Sequence, residues 1–233
     1  MTFYKSQDGD LVREKGGVDA SRIANDPAFA RTRENGAEFG EAGSKGKLIR
    51  DALRSLMMNA ADGRVTSRLT QKMTEVLKID ATNVRGSRTA AAGLTDDAGK
   101  ALLKGFDFNI NAILKSILFK KYVVDPGTGV ITINGLVPLN DVAYPSGATH
   151  MTITGASAVI DFDLAESDVE LTNSVNLPID AVSSNIQLIP AAVPGGTGIK
   201  FYLLKVEFFQ IVNGLQYGLK NGAYNALTIV DVA

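Results

Sequence analysis

The spacing of apolar residues changes once along this chain, and that change limits the folds open to it. From Lys47 to about residue 118 the apolar positions recur every third or fourth residue; from 119 onward they recur every second, with turn-forming pairs between the runs. Such an order builds helices first and an antiparallel sheet afterwards, rather than the alternating units of a parallel sheet. The expected class is therefore α+β, with an extended N-terminal arm over 1–46, a small helical region over 47–118 and an antiparallel β-sandwich over 119–233.

Leu48, Ile49, Ala52, Leu53, Leu56 and Met57 form one helical stripe, and after a turn at Asp62-Gly63 a second stripe follows in Val65, Leu69, Met73, Val76 and Leu77. Together they predict a helical hairpin. Residues 80–93 read as a linker, Thr95-Asp96-Asp97 as the start of a short helix ending near Gly105, and 109–118 as one more helical stretch. In the second part, Asp125-Pro-Gly-Thr-Gly129 separates strands at 120–124 and 130–134. Further strands are expected over 149–163, 168–177, 184–189, 200–212, 215–219 and 224–232. The run 200–212 is apolar on both faces for much of its length, as a central strand covered on both sides would be. Within 149–163 the apolar parity changes from Met151 and Ile153 to Ala158, Ile160 and Phe162, which predicts a bulge near Gly155.

The first 46 residues hold little that could build a core. Glycines from Gly9 to Gly46 separate isolated anchors such as Phe3, Tyr4, Leu11, Val12, Phe29 and Phe39. Asn25-Asp26-Pro27 can cap a short helical turn around 28–33. A charged, glycine-rich segment of this kind does not offset its own ordering entropy, so an outside surface is expected to hold it. All ten arginines lie at or before Arg88, and the net charge of -1 conceals an asymmetry: residues 1–105 carry 18 Lys/Arg against 14 Asp/Glu, whereas 106–233 carry 6 against 11. Copies with one basic and one acidic half attract each other head to tail.

The catalytic inventory is thin. With no cysteine there is no thiolate nucleophile, no disulfide and no cysteine-based zinc site, and His150, the one histidine, reads as a polar residue at a strand entry. Gly43-Ser-Lys-Gly46-Lys47 fails as a phosphate loop, because Glu41 stands where a glycine is needed and Leu48 where a Ser or Thr is needed. Asp161, Asp163 and Glu166 are the weak candidates for a calcium site, since alternation puts the first two on one strand face, but the Asp-x-Asp-x-Asp-Gly loop is missing. A solvated acidic edge explains the same residues. No cofactor, catalytic residue or small-molecule substrate is implied. The absence of a long apolar run predicts a chain that spans no membrane and resides in the cytoplasm, with later release or dedicated export compatible with the sequence.

The segment Asp26-Pro-Ala-Phe-Ala-Arg-Thr-Arg-Glu-Asn-Gly-Ala-Glu-Phe-Gly40, followed by Gly46-Lys-Leu-Ile-Arg50, resembles an uncharacterised family of bacterial proteins of about this length. The ending Val212-Asn-Gly-Leu-Gln-Tyr-Gly-Leu-Lys-Asn-Gly-Ala-Tyr-Asn-Ala-Leu227 is similar to that family's C-terminal segment. No activity is established for the family, so the resemblance assigns no residue a role.

Three functions follow from these features. The first is a non-enzymatic subunit of a homopolymer (tube, filament or shell), with Phe29, Arg31, Arg33, Phe39, Arg64, Arg68 and Lys72 as its self-contacts and copies of itself as partner. The second is a soluble module that binds nucleic acid or another polyanion through the arm and the row Arg64, Arg68 and Lys72, with Arg50, Arg54, Arg85 and Arg88 nearby. The third, by analogy of fold alone, is a carbohydrate-active or carbohydrate-binding protein.

Overall fold

A computed structural model describes residues 1–13 and 17–233. It opens with a β-hairpin, β1 (Thr2–Ser6) and β2 (Gly9–Arg13), in register from Thr2 opposite Arg13 to Ser6 opposite Gly9. Helix α1 (Ala20–Asn25), a 3-10 turn at Pro27–Phe29 capped by Asp26, and the 23-residue helix α2 (Ala30–Ala52) follow. The segment expected as an extended arm is thus a hairpin and then helix, and the expected 46/47 boundary falls inside α2. The glycines at 43 and 46 lie within that helix, so no helix entry forms there.

Periodicity missed the N-terminal half of α2 because that half buries almost no apolar side chain. Polar contacts hold it instead. Glu38 is buried and receives both Nε and Nη2 of Arg88, at 2.7 and 2.8 Å, and the Gly86 N–H at 2.8 Å. Such a two-pronged guanidinium–carboxylate pair is directional as well as strong. Lys45 donates to the Phe162 carbonyl, and Gly46 is buried against Leu69 and Met73.

The remaining α-helices are shorter: α3 (Arg54–Met57), α4 (Val65–Leu77), α5 (Ala90–Thr95), α6 (Asp97–Leu103), α7 (Leu114–Ile117) and α8 (Pro138–Asp141). Asp96 caps α6 as expected, accepting from the Ala98 N–H at 2.7 Å. Helix α5 begins within the expected linker, where Thr89 supplies its cap. Only one turn forms over 109–118, because Asn109 folds back onto the Asn111 N–H and reaches the Asn225 carbonyl, competing with helix formation.

The loop before α5 is organised by Asp80, which is buried and accepts from Thr82, Asn83 and Thr89. Burial pushes its carboxyl up, yet the hydrogen bonds from Asn83, Thr89 and Thr82 outweigh burial and hold it well below the usual range. A carboxyl lowered on folding stabilises the protein above its unfolded pKa of about 3.9, and that contribution is lost as pH falls from there. Urea titrations from pH 6 to pH 3 should therefore show a fall in stability that is shallower in Asp80→Asn, a variant already weaker at pH 6.

The strands are β3 (Val123–Val124), β4 (Ile131–Leu136), β5 (His150–Asp161), β6 (Glu166–Pro178), β7 (Ser184–Leu188), β8 (Ile199–Val212), β9 (Leu215–Gly218) and β10 (Ala226–Val232). One antiparallel sheet has the order β10-β8-β5-β6, with β9 beside the far end of β8; a smaller one has the order β3-β4-β7. Strand β8 is central, as its sequence predicts. Phe201 and Leu203 join the helices Ile49, Leu53, Leu69 and Leu94 come from, while Tyr202, Leu204, Val206 and Phe208 join Ile131, Ile133, Ile186 and Leu188 of the small sheet. Each such fully buried side chain contributes about 2 kcal/mol of transfer free energy. The sheets do not close, and the helices form an outer layer on the large one, so the part of the expected architecture borne out is α+β with antiparallel sheets.

The parity change in 149–163 has a different cause from the one expected. Strand β5 keeps an unbroken register with β8 from His150–Phe209 to Ile160–Ile199. Met151 and Ile153 face the small sheet, whereas Ala156, Ala158 and Ile160 face the helices. A bulge does occur at Gly155, but the extra residue is on β6, between Leu171 and Ser174.

Candidate self-association surfaces

The residues expected to make contacts between copies fall into two groups. Most of the cations are engaged within the chain. Arg31 pairs with Glu34, Arg33 donates to the Ile23 and Asp26 carbonyls at 2.7 and 3.0 Å, Arg64 pairs with Asp8 at 3.1 Å and Lys72 with Glu75 at 2.7 Å. Arg85 and Arg88 hold Glu34 and Glu38. Phe29 is half-buried beneath the Arg22 guanidinium, 5.7 Å from the ring centroid.

Arg68 has a structural role that the basic row concealed. It pairs with the buried Asp62, donates to the Asp107 and Phe108 carbonyls at 2.7 and 3.1 Å, and lies 5.1 Å over the Phe106 ring. Asp62 in turn accepts from the Arg64 and Ile110 N–H groups at 2.6 and 2.8 Å. Burial raises its carboxyl, but these hydrogen bonds and Arg68 leave it below the ordinary value.

Apolar side chains are what the N-terminal part presents. Phe39 is 65 % exposed beside a groove of about 750 Å³ between the hairpin turn, α2 and the outer face of α4, with Gln7, Thr66, Thr70, Thr74 and Lys78 also lining it. Among the described residues the β1–β2 hairpin pairs with no other strand, and Phe3 (78 % exposed), Tyr4, Leu11 and Val12 are left in solvent. The Asp8-Gly9 pair between two alternating runs is a hairpin signal that reading the segment as an extended arm overlooked.

The calcium candidates do not converge. Asp161 Oδ1 accepts from the Asp163 and Leu164 N–H groups at 2.9 and 2.8 Å, and its Oδ2 accepts from Thr197 at 3.1 Å, so this carboxylate closes the β5–β6 turn. Among the described residues no three His, Asp or Glu side chains gather into a cation site. His150 contacts the Thr149 hydroxyl at 3.1 Å. No described helix is long and apolar enough to cross a membrane. No protein-family model, curated protein or solved structure matches the chain.

Proposed function

We propose that this chain is a non-enzymatic structural subunit that assembles with copies of itself into a homopolymer such as a tube, filament or shell. The observation that carries this reading is the N-terminal hairpin: two strands that pair with no third among the described residues, and four exposed apolar side chains. A two-stranded ribbon is marginal alone and gains its stability by packing or by strand addition. An uncovered apolar ribbon marks an interaction surface. A polyanion is the weaker choice of partner, because Arg64, Arg68, Lys72, Arg85 and Arg88 already have carboxylate partners that it would have to displace.

Helix α2 sets how the test must be built. Removing residues 1–40 would take the buried Glu38 from Arg88 and damage the fold, whereas removing 1–13 takes the exposed hairpin and one solvent-exposed ion pair, Asp8 with Arg64. The truncated chain should keep the melting temperature of the full chain within about 3 °C and lose its larger species in light scattering. Equal particle mass for the two chains would refute the role of the hairpin.

A further inference from the structure

Two surfaces outside the hairpin complement each other, an exposed leucine among carboxylates and an apolar depression walled by arginines. The first is the β5–β6 turn, where Ala165 at φ 57° turns the chain in the left-handed region and Leu164 stands 65 % exposed. A non-glycine residue held at positive φ costs roughly 1 kcal/mol, a strain the turn accepts while it presents Leu164. Asp163, Glu166 and Asp168, close to this leucine in sequence, are exposed and form no ion pair among the described residues, though Asp168 accepts from the Gly195 N–H at 2.7 Å. Lys45, which reaches this turn, is committed to the Phe162 carbonyl and Glu41.

The second is a depression of about 290 Å³ at the end of α2 and over α3, walled by Arg50, Arg54, Met57, Met58 and Ala61. Met58 is 81 % exposed. Neither arginine has a hydrogen bond or ion pair among the described residues, and Arg50 Nε is buried without a partner. The one carboxylate at the rim, Asp51, is bound to Lys47. Asn59, next to Met58, donates to Glu207, which pairs opposite Thr152 of β5. The acidic turn follows Asp161 at the other end of that strand, about 30 Å from the Asn59 contact at the strand rise, while Arg50 lies five residues along α2 from Lys45, which reaches the Phe162 carbonyl.

We propose that Leu164 of one copy enters the Met58 depression of the next, with Asp163, Glu166 and Asp168 meeting Arg50 and Arg54. This rests on the self-assembly reading above and names one contact through which it acts. A knob and a socket that are different patches of one chain form a heterologous contact, which propagates into a filament or closes into a ring. An apolar anchor ringed by paired charges is the usual anatomy of a hot spot, and methionine walls adapt to it.

The test uses the full chain and two exposed-site variants, Leu164→Asp with a dead knob and Arg54→Glu with a dead socket, each checked for an unchanged melting temperature. In sedimentation velocity each variant alone should need at least tenfold higher concentration than wild type to assemble. Mixed one to one, the intact knob of Arg54→Glu meets the intact socket of Leu164→Asp, and a two-chain species should form at a concentration at which neither variant associates alone. Variants that assemble like an assembling wild type, or a mixture in which no two-chain species forms, overturn this contact and leave the role of the hairpin intact. A wild-type chain that stays monomeric overturns both.

Discussion

Gly93→Ala should destabilise the protein by about 3 kcal/mol or more, although it adds one methyl group to a helix. A Cβ at Gly93 would lie 2.3 Å from the Val76 carbonyl oxygen, so α5 rests on α4 backbone to backbone. Gly99 is tighter still, 1.9 Å from the Gly93 carbonyl oxygen, and brings α6 against α5. Because the obstructing atoms are main chain, no rotamer change relieves the clash. The helices must separate, and Ala90, Leu94 and Leu103 leave their places in the core. For a chain of this size that corresponds to a fall of roughly 6–12 °C in melting temperature. Gly40→Ala is the control with the opposite sign: nothing lies within 4 Å of its Cβ position, so α2 should gain about 0.5–1 kcal/mol. Differential scanning calorimetry of the two variants beside wild type checks both directions.

Arg68→Ala should cost about 3–5 kcal/mol, whereas Lys72→Ala, one turn further on the same helix, should change stability by less than about 1 kcal/mol. The difference follows from what each side chain holds. Lys72 makes a partly exposed pair with Glu75, and such pairs contribute little. Arg68 joins Asp62, whose side chain is only 7 % exposed, to the carbonyls of Asp107 and Phe108. Removing it strands a buried carboxylate and two carbonyls. The same segment runs along the edge of β10, with the Gly105 N–H on the Ile229 carbonyl and the Phe108 N–H on the Leu227 carbonyl, so the loss is felt by both layers. Urea unfolding would contradict this role if the two variants were equally stable.

These two cases also show what the sequence can and cannot disclose. Arg64, Arg68 and Lys72 are spaced i, i+4 and i+8, which reads as one basic face; their carboxylate partners Asp8, Asp62 and Glu75 become visible only in the folded chain. Strand β8 was legible because burial on both faces leaves an uninterrupted apolar run. The two apolar parities of β5 are equally visible in sequence, but they were read as one face needing a bulge. The actual cause is two covered faces. Helix α2 was hidden for the opposite reason: its N-terminal half is fixed by Glu38, Arg88 and Lys45, and polar anchors leave no hydrophobic period. Gly93 and Gly99 give no sign in the sequence of which glycine is irreplaceable, since Gly36, Gly40 and Gly43 look the same and meet open space. Leu164 and Met58 are ordinary apolar residues until the turn and α3 expose them.

Self-association is the claim on which the functional reading depends, and sedimentation velocity of the full, untagged chain tests it most directly. Across a hundredfold range of concentration at low salt, species well above the 24.7 kDa of one chain should appear and grow with concentration, and added salt should weaken them as it screens the charged contacts. A single species of 24.7 kDa at every concentration would contradict it.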